Sequence, residues 1–263
     1  MKQQWNLYIH SSLIYVLSFM LNTIIHEGAH ALTAKVMGLD PVLHHNYVST
    51  SGEESASFIA KVLTPAAGPI ISFIQGVIFL LLTRMTDRKS LRTLFYLWLS
   101  VMGFINIGGY LMLTPLVDYG DTGRVFTLLG TPSWLKWIIA FFGITGLIIV
   151  VRQFTKDFEN QIPVAFNDTV FKPGRIANLL IAYPLITGVI LTTLISLPVP
   201  TFISLLYPTT SPFIIFMVYG GLRRKRDKLV GNANYPEQTS IVLVVITLVA
   251  FVVTRLLVDG VKI

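Results

Sequence analysis

LIYVLSFMLNTIIHEGAHALTAKV (Leu13–Val36) is long and apolar enough to cross a bilayer, yet it carries a His-Glu-Gly-Ala-His cluster near its end. A carboxylate and two imidazoles are costly in hydrocarbon. Ionisable residues at membrane depth are therefore rare and usually functional. On an α-helix, residues four apart sit about 40° from each other, so His26 and His30 share a face. Two imidazoles on one face can both reach a zinc ion. Glu27, about 100° round the helix, can then lean over metal-bound water without ligating. A structural reading, two histidines and a glutamate with no ion, would leave three polar groups uncompensated at a cost of several kcal/mol.

Composition extends this reading to the whole chain. Of 263 residues, 53% are hydrophobic and 13% charged, about half the usual charged share of a soluble domain. Mean hydropathy is +0.69. The fold class expected is an all-α polytopic membrane protein of six to seven transmembrane helices. The net charge of +7 does not imply nucleic acid, because the basic residues sit in short loops between apolar runs. Cysteine is absent, so any metal must take nitrogen and oxygen ligands. The first apolar run lacks a small-residue cleavage pattern and is expected to remain as a spanning helix.

A hydrocarbon core about 30 Å thick needs roughly 20 apolar residues of helix. Seven candidate spans follow: Leu7–Val36, Thr64–Thr83, Leu91–Thr114, Trp134–Val151, Ile176–Leu197, Ser211–Leu222 and Ser240–Val258. The sixth is short and follows a proline-broken stretch from Pro198 to Pro212. It reads either as a full span beginning near Phe202 or as a re-entrant segment buried in protein. Basic residues cluster in alternate loops: Arg84, Arg88, Lys89 and Arg92; Arg152, Lys156, Lys172 and Arg175; then Arg223 to Arg226 and Lys228. The positive-inside rule then places the N-terminus in the cytoplasm of a multi-pass protein, with the cell (plasma) membrane as the expected location.

Catalytic zinc takes three protein ligands and keeps a position open for water. The third is expected in Pro115-Leu116-Val117-Asp118-Tyr119-Gly120-Asp121-Thr122-Gly123-Arg124, after the third span. Spans one and three run in the same direction, so this acidic turn and the histidine pair approach one membrane face. Pro115, Gly120 and Gly123 break the helix and let a carboxylate turn inward. Either Asp118 or Asp121 fits at this stage.

With these features the chain resembles the site-2 protease family of membrane-embedded zinc metalloproteases. The resemblance covers about the first 130 residues. It rests on His26–His30 within a span, on Ala66-Ala67-Gly68-Pro69-Ile70-Ile71-Ser72 opening the next, and on an Asp-Gly-type motif preceded by Asn106 and Pro115. The family usually shows Asp-Gly, often followed by Gly-Arg. Aligning on Gly123-Arg124 selects Asp121 as third ligand, with Asp118 as the alternative. The resemblance implies one zinc per chain held by His26, His30 and Asp121, with Glu27 as catalytic base. It implies a three-span metalloprotease core over residues 1–132 and a transmembrane scaffold over 133–263. It also implies substrate contacts by Asn106, Gly68 and Pro69, and a transmembrane protein as substrate. Family members generally hold the metal nearer the cytosol, whereas the charge count puts the motif nearer the outside.

The function expected is intramembrane zinc metalloendopeptidase. The rivals are a zinc hydrolase of a lipid and a non-enzymatic metal transporter. Ser49 to Phe58, with Gly52, is expected to offer an edge strand to an unwound substrate. Asn22 reads as a partner of the histidines or a helix–helix contact, and Gln75 as a packing residue. His44 and His45 read as solvated, and His10 as facing the interface.

Overall fold

The computed structural model describes residues 2–166, 173–225 and 231–263. Lys172, Arg226 and Lys228, counted among the basic loop residues, lie outside them. Helix α1 (Lys2–Val36) leads into a hairpin of β1 (Asp40–Leu43) and β2 (Val48–Ser51). Next come α2 (Phe58–Met85), α3 (Leu91–Leu113), the short α4 (Asp121–Leu128) and α5 (Ser133–Glu159). The fifth span is composite: α6 (Pro173–Ala177), a π-helical turn (Asn178–Ala182) and α7 (Tyr183–Ile195). The sixth alternates 3-10 turns at Phe202–Leu205 and Ser211–Ile215 with α8 (Leu206–Thr209) and α9 (Phe216–Arg223). Helix α10 (Ile241–Leu256) and β3 (Val261–Lys262) close the chain.

Among the described residues, seven helical segments are long and apolar enough to cross a membrane, at the seven places expected. The sixth runs from Phe202 to Arg223 as a broken helix. Boundaries follow local chemistry. The Ser57 and Ser240 hydroxyls accept from the backbone N–H groups of Ala60 and Leu243 and start α2 and α10. Before α3, the backbone N–H of Ser90 donates to Thr93 Oγ1 at 2.7 Å.

The bundle exposes apolar side chains and buries a set of polar ones within its apolar core. Ile70, Phe73, Ile78, Phe141, Phe142 and Val249 are exposed, while Ser11, Asn22, Gln75, Ser100 and Asn106 are buried. Lipid is as apolar as leucine, so helices in a bilayer associate through close backbone approach and interhelical hydrogen bonds. Helices α2 and α3 use both. A Cβ on Gly103 would lie 2.5 Å from the Ser72 carbonyl oxygen and 2.8 Å from the Gly76 nitrogen. The Ser100 hydroxyl donates to the Gly76 carbonyl at 2.8 Å. Beside this seam, Tyr15, Trp98, Phe154 and Phe158 fill the core between α1, α3 and α5.

The π-helical turn has an identifiable cause. Pro184 has no N–H for the carbonyl four residues back, that of Leu180, and its ring crowds that turn. Ser11 on α1 supplies the missing donor, its hydroxyl lying 2.7 Å from the Leu180 oxygen. Trp98 Nε1 in turn donates to the Ser11 hydroxyl at 3.3 Å.

Three strands form an antiparallel sheet in the order β2-β1-β3. Asp40 pairs with Ser51 and Leu43 with Val48, leaving β2 at the edge. The edge strand is shorter than expected. Gly52, at φ +86°, turns the chain out of the strand toward the Ser57 cap. Two histidine expectations are corrected. His45 is buried with Nε2 3.0 Å from the Ser196 carbonyl oxygen, and His44 stacks on Tyr47 with Nδ1 3.2 Å from the Val258 oxygen. His10 is buried too and accepts from the Ser240 backbone N–H. Polar backbone groups at the turns flanking α7 and α10 need these partners, a demand invisible in local sequence.

Ser11→Ala should strand the Leu180 carbonyl and lower stability by about 1–2 kcal/mol, measured by unfolding in mild detergent. Ser12→Ala, which removes only the 3.3 Å contact to Thr187, should cost clearly less. Equal losses would contradict this account of the turn.

Candidate metal centre

His26 and His30 lie one turn apart on α1, and Asp121 occupies the first turn of α4. Asp121 Oδ2 is 3.0 Å from His26 Nε2 and 3.1 Å from His30 Nε2, and the two Nε2 atoms are 3.1 Å apart. Both histidines are almost wholly buried. Among the described residues, no other trio of His, Asp or Glu side chains converges in this way.

The convergence can be tested for fit to a metal. His30 Nδ1 lies 2.7 Å from the Thr64 carbonyl oxygen. A carbonyl only accepts, so Nδ1 carries the proton and Nε2 of the neutral ring points a lone pair at the centre. His26 Nδ1 is likewise engaged, 3.0 Å from the Ser72 hydroxyl. With both Nε2 atoms unprotonated, three electron-pair donors at this spacing repel one another, and a shared cation relieves that repulsion. Tetrahedral bonds of about 2.0–2.1 Å place ligand atoms about 3.3 Å apart, close to the separations here. Outer hydrogen bonds on metal-bound histidines are the usual means of fixing tautomer and ring orientation. The residues fit a divalent metal with nitrogen and oxygen ligands.

Clearance comes from α2. A Cβ on Gly68 would stand 2.3 Å from His30 Nε2 and 2.5 Å from His26 Nε2. Gly68 therefore lies against the Nε2 edges of both imidazoles, and neither it nor Pro69 is among the cavity-lining residues.

Asp121 is placed by a knot of hydrogen bonds. The Thr122 hydroxyl donates to the Tyr110 carbonyl at 2.8 Å, and the Thr114 hydroxyl reaches the same carbonyl at 3.0 Å. The two hydroxyls are 2.8 Å apart. The turn is so tight that a Cβ on Gly123 would lie 1.8 Å from the Val117 carbonyl oxygen. Asp118 points elsewhere. Its carboxylate accepts from Lys136 Nζ at 2.7 Å and from the Thr127 hydroxyl at 3.1 Å. The Lys136 ammonium holds the Asp118 carboxyl below its usual range.

A cavity of about 350 Å³ opens beside the trio. Glu27 and Asn106 line it, both mostly buried, and Asn106 Oδ1 has no hydrogen-bond partner among the described residues. The β-hairpin contributes Asn46, Val48 and Thr50, and the broken sixth span contributes Ser204, Tyr207 and Ser211. Glu53 and Arg124 also line it and form an ion pair at 2.7 Å, joining the β2–α2 connection to α4. Partial burial opposes ionisation of Glu53, but Arg124 and the Thr50 hydroxyl outweigh it and hold the carboxyl below its usual range.

Several participants have no motif to announce them. Tyr110 stacks on His26, ring centres 5.2 Å apart and planes 6° from parallel. Asn22 donates to the Tyr207 hydroxyl at 2.8 Å and accepts from Gln75 Nε2 at 2.8 Å, so it joins three spans and does not reach the histidines. The usable signal for Tyr207 was the proline-rich interruption, since irregular backbone at membrane depth lines cavities or is buried in protein.

The model of the family described as Peptidase M50B-like matches residues 5–170, more than half of the chain. The chain belongs to this family. It is a multi-pass membrane metallopeptidase of the site-2 protease type. No curated protein and no solved structure matches it.

Gly68 and Gly28 differ in the space a side chain would meet. Gly68→Ala should lower bound metal at least tenfold, measured by elemental analysis of purified protein. Gly28→Ala, whose Cβ would meet nothing within 4 Å, should keep it and gain up to about 1 kcal/mol of helix stability. Full metal content in Gly68→Ala would refute the packing argument.

Proposed function

We propose that the protein is a zinc endopeptidase that cleaves transmembrane segments of other membrane proteins. The observation that carries this reading is the approach of His26 Nε2, His30 Nε2 and Asp121 Oδ2 to within 3.1 Å, beside Glu27 and a cavity inside a membrane bundle. In this reading one zinc is held by His26, His30 and Asp121. Two imidazoles and one carboxylate, with an open position, are a familiar catalytic zinc set. Bound there, zinc supplies a Lewis acid that acidifies water and polarises a peptide carbonyl.

The chain's own groups do the rest. Glu27 lies against the centre, and its carboxylate takes no hydrogen bond from the described residues. It takes a proton from the attacking water and passes it to the leaving amine. Thr64 and Ser72 keep the histidine rings turned inward. A membrane helix hides its peptide groups in its own hydrogen bonds, so the substrate must unwind before attack. The free edge of β2, close to the cavity, offers main-chain partners to the opened segment. Asn106 Oδ1 offers an acceptor for one substrate N–H.

Residues 1–132 supply the proposed catalytic core. The spans after it serve as scaffold, with the sixth closing one side of the cavity. The charge count supports a cytoplasmic N-terminus, which puts the proposed zinc toward the opposite face of the membrane; the cell membrane is the location proposed.

Glu27→Gln should retain zinc while turnover of a transmembrane peptide in proteoliposomes falls by about 10²–10⁴. Loss of zinc would make Glu27 a ligand, and unchanged turnover would end the base assignment. Asp121→Asn should lose both zinc and turnover, and Asp118→Asn should lose neither. The reverse pattern would move the third ligand to Asp118. A wild-type protein that binds zinc but hydrolyses a lipid ester instead of the peptide would favour the lipid hydrolase.

A further inference from the structure

A second cavity, of about 780 Å³, lies at the end of the bundle where α2 and α5 finish. Its charged lining is Arg84, Lys89, Arg152, Lys156 and Lys225 against Asp157 and Glu159. Both carboxylates are already neutralised. Asp157 takes Arg84 Nε at 3.1 Å and an Arg84 terminal nitrogen at 2.9 Å, and Glu159 pairs with Lys225. Lys89 is turned onto the carbonyls of Thr83 and Thr86. Arg152 and Lys156 make no hydrogen bond or ion pair with the described residues.

Those two cations stand one turn apart on α5, where like charges repel each other by a few tenths of a kcal/mol. Topology and the helix dipole account for basic residues at the C-terminal end of α5. Neither requires two uncompensated ones to face a concavity beside the amides of Gln153 and Asn160. The cavity's depth is informative. Exposed Ile149 on α5, and Leu81, Leu82 and Met85 on α2, mark the apolar belt. Arg152 follows Ile149 by one helical turn, which puts the cavity at headgroup level.

We propose that this cavity is a binding site for a phosphate group, with Arg152 and Lys156 as its principal contacts. The phosphate belongs to the headgroup of an anionic phospholipid or to a soluble phosphate compound. Basic pockets between transmembrane helices hold lipid headgroups by this chemistry, and a guanidinium matches two phosphate oxygens at once. The site does not depend on the peptidase reading.

The test uses the full chain purified in mild detergent. Native mass spectrometry counts retained lipid, and thermal unfolding is followed with added phosphatidylglycerol or, separately, inorganic phosphate. Wild type should bind one phosphatidylglycerol saturably and unfold at higher temperature with it. Arg152→Gln/Lys156→Gln should weaken that binding at least tenfold. Arg88→Gln/Arg92→Gln removes the same charge from exposed positions outside the cavity and should leave it intact. The swap Arg152→Lys/Lys156→Arg should retain binding, which guards against a folding defect in the glutamine variant. Protection by millimolar inorganic phosphate that also displaces the lipid would assign the site to a soluble phosphate compound. Equal losses in both glutamine variants would reduce the effect to general surface charge and overturn the proposal. So would a wild type protected by neither probe.

Discussion

Three electron-donating atoms pressed together inside a membrane bundle are the constraint on which this structure turns. Two imidazole nitrogens of one helix and a carboxylate oxygen approach within 3.1 Å, although Asp121 follows His26 and His30 by 95 and 91 residues. The surroundings are built to tolerate the crowding. Thr64 and Ser72 occupy the outer ring nitrogens. Gly68 withholds a side chain where one would strike both rings. Thr114, Thr122 and Gly123 fold the α3–α4 turn tightly enough to aim Asp121 inward. Each is a small local expense, justified if a cation occupies the centre.

The same logic governs the rest of the bundle. With lipid outside, apolar burial alone does not choose helix partners, and polar contacts and small residues do. The Ser72–Gly76 and Ser100–Gly103 seam brings α2 against α3, and so carries Gly68 to the histidines. The chain Gln75–Asn22–Tyr207 ties the sixth span to α1 and α2 beside the cavity. Pro184 opens a carbonyl that Ser11 closes. Packing devices and site devices here are neighbours on the same helix faces.

Much of this was legible in the sequence. Seven apolar runs and their alternating basic loops mark seven spans, because helix length is set by bilayer thickness. His26, Glu27 and His30 are readable because their spacing fixes a shared face. That Asp121 and not Asp118 approaches the histidines is readable only through the family's Gly-Arg pattern. The physical reason, a Lys136 partner for Asp118 and a threonine knot for Asp121, depends on contacts between helices. Gly68 was noticed as part of a small-residue segment and assigned to substrate. That it also clears space for two rings requires knowing which helix lies opposite. The burial of His10 and His45 was illegible for the same reason, since their partners are 230 and 151 residues away.

The most direct test is zinc K-edge X-ray absorption on purified wild-type protein, with the metal quantified in the same sample. The account predicts one zinc per chain in a shell of nitrogen and oxygen near 2.0–2.1 Å, with outer scattering from two imidazoles. A protein that cannot be loaded with zinc, or a shell showing one imidazole or none, would contradict it.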